Sequence, residues 1–167
     1  LKRIIKMLMV VFLLMLTGCS NNSVSTSKKE VMKTDNGNFE IEVAKGFKAG
    51  TDDADLSFYA ESKDSYLAVQ SEDKADFESW ETYYEQRKSN IIESYNDPDM
   101  KESSLKDSKG SRFQFPYSED GVNLELICEI VESDNYYVTK IGTVPKSKKQ
   151  KEEQRVIQMM ESIKEVD

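Results

Sequence analysis

The chain has 167 residues, a formal charge of −8, two cysteines and no histidine. Without histidine there is no Ser-His-Asp or Cys-His arrangement, no His-ligated zinc and no imidazole base; this weighs against hydrolytic enzymes without excluding a carboxylate-based one. An acidic surface is repelled by nucleic acid, so DNA and RNA are not expected as partners.

Lys2, Arg3 and Lys6 open the chain, an unbroken apolar run follows from Met7 to Leu16, and Leu16-Thr17-Gly18-Cys19 closes it as a lipobox. A charged start, an apolar middle and a small residue before the cleavage point make residues 1–18 a signal peptide. The run is about half of the ~20 apolar residues that a spanning helix needs, so a permanent transmembrane anchor is not expected. Gly18 is small enough for a peptidase to close around the next bond, and the Cys19 thiol would then carry diacylglycerol. Removing 1–18 takes away three cations and no acid, which moves the charge from −8 to −11. Attachment to the extracytoplasmic face of a cell membrane, in a Gram-positive host, must then come from acyl chains rather than a basic surface. With Cys19 acylated, Cys128 has no disulfide partner, and the fold stands on its core alone. Residues 19–36, beginning Ser20-Asn21-Asn22-Ser23, are polar without an apolar period and read as a flexible tether. About 15 residues of such chain reach roughly 20 Å.

The domain is placed at 37–167. Phe39-Glu40-Ile41-Glu42-Val43 alternates strictly and predicts a strand, followed by a loop containing Gly46, Gly50 and the acidic cluster Asp52, Asp53 and Asp55. Leu56, Phe58 and Ala60 alternate with polar residues, Lys63-Asp64 turns the chain, and 66–70 returns as the second arm of a hairpin. The period then changes. Phe77, Trp80, Tyr84, Ile91 and Tyr95 recur at steps of three and four, with Lys88 filling the missing turn through its stem. This predicts a helix of about five turns, capped by Asp73 or Asp76 and stopped at Asn96-Asp97-Pro98, with Trp80 as a principal core anchor.

Residues 103–106 are a weak strand candidate, and 112–117 a clear one that ends in the turn 118–121. The strand 122–131 is apolar at three successive positions, Leu126-Ile127-Cys128, as a strand covered on both faces should be. A strand over 136–144 follows. Ser147 and Gln150 then offer a capping box for a last helix with the stripe Val156, Met159, Met160, Ile163 and Val166. The order predicts an α+β domain: an antiparallel sheet with one helix on each face, since a one-sided layout would leave Ile127 exposed.

This order resembles the Mog1/PsbP fold, in particular the small PsbP-like lipoproteins of Gram-positive bacteria. The resemblance lies in the opening strand Asn38-Phe39-Glu40-Ile41, the helix start Phe77-x-x-Trp80, the strands over 110–144 and the terminal Met159-Met160-Glu161-Ser162-Ile163-Lys164, and it covers 37–166. It implies a non-enzymatic binding or assembly role with no catalytic residues to carry across; fold alone does not fix function.

Asp52, Asp53 and Asp55 lack the spacing, the glycine and the distal glutamate of an EF-hand, so they read as a solvated acidic loop and neither metal nor cofactor is expected. Asp97 and Asp99 read as a helix-terminating turn. Cys128, mid-strand among apolar residues, reads as an inert core thiol. Lys146, Lys148, Lys149, Lys151 and Arg155 form the one basic patch: either an anion site for phosphate, a teichoic acid chain or a headgroup, or a solubilising face offset by Glu152 and Glu153. Tyr59, Tyr66, Tyr83, Tyr117, Tyr136 and Tyr137 are either a recognition platform or ordinary sheet aromatics. The leading functional expectation is a membrane-anchored lipoprotein that binds or helps assemble an unidentified envelope protein or polymer. An immunity or exclusion lipoprotein that blocks a toxin, phage or conjugative partner is the alternative, and a carboxylate-based envelope enzyme the third.

Overall fold

The computed structural model describes residues 30–34, 38–53, 56–96, 98–119 and 121–166. The lipobox, the signal segment, most of the tether, Asp55 and Asp97 lie outside the described residues.

Among the described residues two antiparallel sheets are formed. The larger has seven strands: β3 (Lys48–Gly50), β4 (Phe58–Glu61), β5 (Tyr66–Asp73), β6 (Lys101–Ser104), β7 (Gly110–Glu119), β8 (Val122–Glu132) and β9 (Tyr136–Pro145). Their spatial order is β3-β4-β5-β9-β8-β7-β6. The smaller sheet places β2 (Phe39–Val43) between β1 (Glu30–Lys33) and β10 (Lys164–Glu165). Two α-helices among the described residues complete the domain, α1 (Trp80–Ser94) and α2 (Lys149–Ser162).

Strand β8 carries the two-sided core. Leu124, Leu126, Cys128 and Ile130 point to the α1 side, where they meet Phe113, Phe115, Tyr83 and Ile91. Ile127 points the other way, into a cluster with Val138, Val144, Val156, Met159 and Met160 beneath α2. Each face is covered, as the three successive apolar residues require. Phe39, Ile41 and Val43 of the small sheet join the α2-side core, each no more than 3 % exposed. Gly142 on β9 permits this packing, because a Cβ built there would stand 2.4 Å from Val156 Cγ1 and 3.0 Å from Met160 Cε. The helix occupies the space of the missing side chain.

Several boundaries differ from the sequence expectation. Strand β1 lies inside the stretch read as tether, with Glu30 opposite Val43 and Lys33 opposite Glu40. Four residues are too few to show a period, and Met32 alone of the pair Val31 and Met32 packs on the core. Helix α1 has 15 residues, about four turns. It starts at Trp80 because Ser79 Oγ accepts the Thr82 N–H, while Asp73 caps a separate 3₁₀ turn, Lys74–Asp76. Asn96, in the left-handed region at φ 56°, closes its C-terminal end. The expected Ser147–Gln150 box is not formed: a 3₁₀ turn, Lys146–Lys148, precedes α2, and no side chain caps it. At its other end α2 stops at Ser162, Ile163 is extended, and β10 pairs with β2, so Ile163 and Val166 leave the helical stripe.

Cys128 is fully buried, and burial pushes its thiol up to about 12 from an ordinary 9.0. At neutral pH it therefore holds roughly a thousandfold less thiolate than a free cysteine. Labelling of the native protein with a thiol reagent is expected to be slower than that of the urea-unfolded chain by at least that order. Fast native labelling would return Cys128 to consideration as a reactive thiol.

Candidate functional site

Three charged residues stand in a row across adjacent strands. In the register Arg112 lies directly opposite Glu129, and Glu129 directly opposite Lys140. Glu129 is two residues from Ile127, so pleating turns it to the α2 face. The last turn of α2 meets this row through the Met160 carbonyl and Glu161. Beyond its last turn a groove of about 950 Å³ opens between the row, the β6–β7 connection, the β8–β9 turn and β10. Phe39, Val131, Val138 and Ile163 give it an apolar wall, and Ser103, Ser104 and Ser108 offer hydroxyls on the β6 side.

Glu129 is only 1 % exposed. Arg112 donates from Nε and Nη2 to its Oε1, at 2.8 and 2.6 Å, and Lys140 Nζ donates to Oε2 at 3.0 Å. Lys140 also donates to the Met160 carbonyl at 2.7 Å, at the negative end of α2. One buried carboxylate thus lies between two cations, and the surplus positive charge is met by Glu161, which accepts from Arg112 Nη2 at 2.9 Å. That carboxylate is 59 % exposed. Charges this deep persist only when paired and hydrogen-bonded, and here each atom of Glu129 that can accept is engaged.

The rim is acidic. Glu132 receives Lys109 at 2.8 Å and Lys74 at 2.9 Å, and the Lys109 hydrogen bond holds its carboxyl below the ordinary 4.5. Glu165 accepts from Ser133 Oγ at 2.5 Å and from Asn135 Nδ2 at 2.7 Å. Burial acts to raise Glu165, but the hydrogen bonds from Ser133 and Asn135 outweigh it and hold the group below its ordinary value. Neither Glu165 nor Asp134 pairs with a cation among the described residues.

The basic patch foreseen from sequence is partly answered by acids. Lys148 meets Asp64 at 2.6 Å, Lys149 meets Glu125 at 2.9 Å, and Arg155 meets Glu152 at 2.8 Å and reaches the Lys45 carbonyl. Lys146 and Lys151 are exposed, with no ion pair among the described residues. Asp52 accepts the Tyr59 hydroxyl at 2.7 Å, and Tyr59 stacks on Tyr66 while its ring crosses Gly50. Among the described residues no three His, Cys, Asp or Glu side chains converge to hold a metal. The tyrosines do not form one platform: Tyr83 and Tyr137 are buried under α1, and Tyr136 packs edge-on against Phe39 on the opposite side. No helix among the described residues is long and apolar enough to cross a membrane.

The Arg112–Glu129–Lys140 row was missed because, in a strand, polar residues at alternate positions read as solvent-facing. The available signal was Ile127. Once a second covered face is required for it, Glu129 must lie on that face too, with a buried partner on each neighbouring strand.

No family model and no curated protein matches the sequence. Solved structures do match, and they define the fold as PsbP-like. The solution structure of cyanobacterial PsbP from Synechocystis sp. PCC 6803 superposes with a TM-score of 0.57 at 8 % identity, covering 90 % of this chain and 99 % of that one. LpqN of Mycobacterium tuberculosis, a protein involved in cell envelope biogenesis, gives 0.54 at 7 % identity, covering 84 % and 91 %. A Bacteroides thetaiotaomicron VPI-5482 protein gives 0.58 at 12 % identity, with 84 % of this chain matching 50 % of the other. The α+β architecture with antiparallel sheets and two helices agrees with the resemblance drawn from the sequence.

Proposed function

We propose that the chain is a lipoprotein held on the extracytoplasmic face of the cell membrane by acyl chains on Cys19, where its PsbP-like domain binds an envelope component without catalysis. The observation that carries the reading is the lipobox Leu16-Thr17-Gly18-Cys19 set ahead of a single PsbP-like domain. An envelope-associated neighbour of the same fold supports it. The groove beyond α2 is the binding surface in this reading. Its most buried carboxylate, Glu129, has both oxygens taken up by Arg112 and Lys140, which suits a fixed counter-ion better than an acid or base that must exchange protons.

Metabolic labelling with an alkyne fatty acid is expected to tag the wild-type protein and leave Cys19→Ala untagged and released from the membrane fraction. Equal tagging of both proteins would remove the anchor from this account.

A further inference from the structure

The chain enters β1 at the end of the domain opposite the mouth of the groove. Glu30, the first residue of β1, pairs with Val43, the last residue of β2. Two residues past Val43 is Lys45, whose carbonyl accepts from Arg155 Nη2, and the Arg155 guanidinium lies 5.0 Å from the centre of the Phe47 ring. The β4–β5 turn reaches the same end, where Asp64 meets Lys148. So does the close of β9 at Pro145, from which the 3₁₀ turn leads into α2. The groove opens at the other end of these strands, around the β8–β9 turn. Strand β9 runs ten residues between the two ends, about 33 Å.

Covalent geometry gives this entry point a consequence once Cys19 is held in a membrane. Eleven peptide units separate Cys19 from Glu30, and even fully extended they span no more than about 40 Å. Turning the groove to the bilayer would take nearly all of that length to run back along the domain. The end that bears Glu30 meets the membrane without any such extension.

Charge favours the same orientation. Asp64, Glu125 and Glu152 already answer Lys148, Lys149 and Arg155 at this end. Lys48, Lys63, Lys146 and Lys151 are exposed there and form no ion pair among the described residues. Glu61 and Glu119 stand at the adjoining strand ends and Glu153 on α2, where it accepts from Gln114. The two signs are thus close to balance at this end, and the excess of acids in the chain lies elsewhere. An anionic lipid surface attracts the lysine-bearing end of so polarised a domain and repels the acidic remainder. Screening limits the attraction to charges within about 8 Å of the headgroups, so only the end in contact feels it.

We propose that the domain docks this lysine-bearing end on the anionic headgroups of the membrane that holds the Cys19 anchor, and so presents the groove away from the bilayer. The acyl chains supply attachment and the lysines supply orientation. This rests on the lipoprotein reading and adds to it a lipid partner and the direction in which the groove faces.

Energy transfer from the acylated full chain to a dye-labelled lipid tests it, in vesicles of phosphatidylcholine with and without phosphatidylglycerol. One fluorophore is placed at Ser147→Cys, exposed beside the lysines, or at Ser108→Cys, exposed at the groove; Cys128 is buried and Cys19 acylated, so neither competes for the label. In vesicles containing phosphatidylglycerol the label at position 147 should be quenched at least about twofold more strongly than the label at 108. That contrast should fall by about half in pure phosphatidylcholine and in Lys146→Glu/Lys151→Glu, a change at two exposed, unpaired positions that leaves the core untouched. Equal quenching at the two positions, stronger quenching at 108, or a contrast unaltered by the lipid or by the lysine changes would each overturn the docking. A chain that stays off both kinds of vesicle brings down the anchor and the docking with it. One that binds and shows no contrast brings down the docking alone.

Discussion

Glu129→Ala is expected to destabilise the domain by about 3–5 kcal/mol, because it leaves Lys140 charged and buried with no carboxylate to answer it. Lys140 is 6 % exposed, and its one remaining acceptor would be the Met160 carbonyl. Arg112 suffers less, since it is partly exposed and keeps Glu161. The companion variant Glu129→Leu/Lys140→Met removes both buried charges and fills their volume with apolar groups. It should recover most of the loss, because the buried pair returns little beyond its own desolvation cost. Urea unfolding of wild type, the single variant and the double variant measures the difference. A single variant as stable as wild type would mean that water reaches Lys140 and that the row is not sealed.

The sequence made the framework legible wherever one physical requirement acted alone. Alternation over Phe39–Val43 and the successive Leu126-Ile127-Cys128 are direct consequences of one-sided and two-sided burial, and both strands lie where they were expected. Cys128 shares its face with Leu124, Leu126 and Ile130, as the same parity requires, and the helix that covers this face is α1. Boundaries failed where local hydrogen bonding competes with periodicity. Ser79 and Asp73 each satisfy a different turn, and the apolar stripe through Phe77 cannot show which of them begins the helix. The strands β1 and β10 were hidden because each is short and has β2 as its strand partner, which is distant in sequence from β10. The two-sheet arrangement was hidden for the same reason. The groove was the least visible feature, since its charged row exists only once three strands are in register.

The largest apolar effect is expected at Tyr83 rather than at Trp80, the reverse of what the helix stripe suggests. The stripe ran through Trp80 and Tyr84 and left Tyr83 among the tyrosines read as either a recognition platform or ordinary aromatics. In the fold Tyr83 is fully buried, and Trp80 is only partly so. The Tyr83 ring stacks on Tyr137 at 4.7 Å between centroids and meets Phe77 edge-on at 4.8 Å. Its hydroxyl is 2.8 Å from Thr139 Oγ1, and burial pushes the phenol up to about 12, so it stays neutral at physiological pH. Tyr83→Ala should therefore cost about 3–5 kcal/mol, the range for emptying an aromatic site in a core. Tyr83→Phe keeps the ring and strands only the Thr139 hydroxyl, at about 1–2 kcal/mol. Trp80 lies beside Tyr84 and Tyr137 with Lys109 at 5.3 Å from its ring, an arrangement at the margin of the cluster. Trp80→Ala should cost about 1–3 kcal/mol, within the ordinary range for a partly buried side chain. Urea midpoints for the three variants should fall in the order Tyr83→Phe and Trp80→Ala well above Tyr83→Ala. A Trp80→Ala protein less stable than Tyr83→Ala would place the anchor of α1 on the tryptophan after all, and with it the face that the helix turns towards β8.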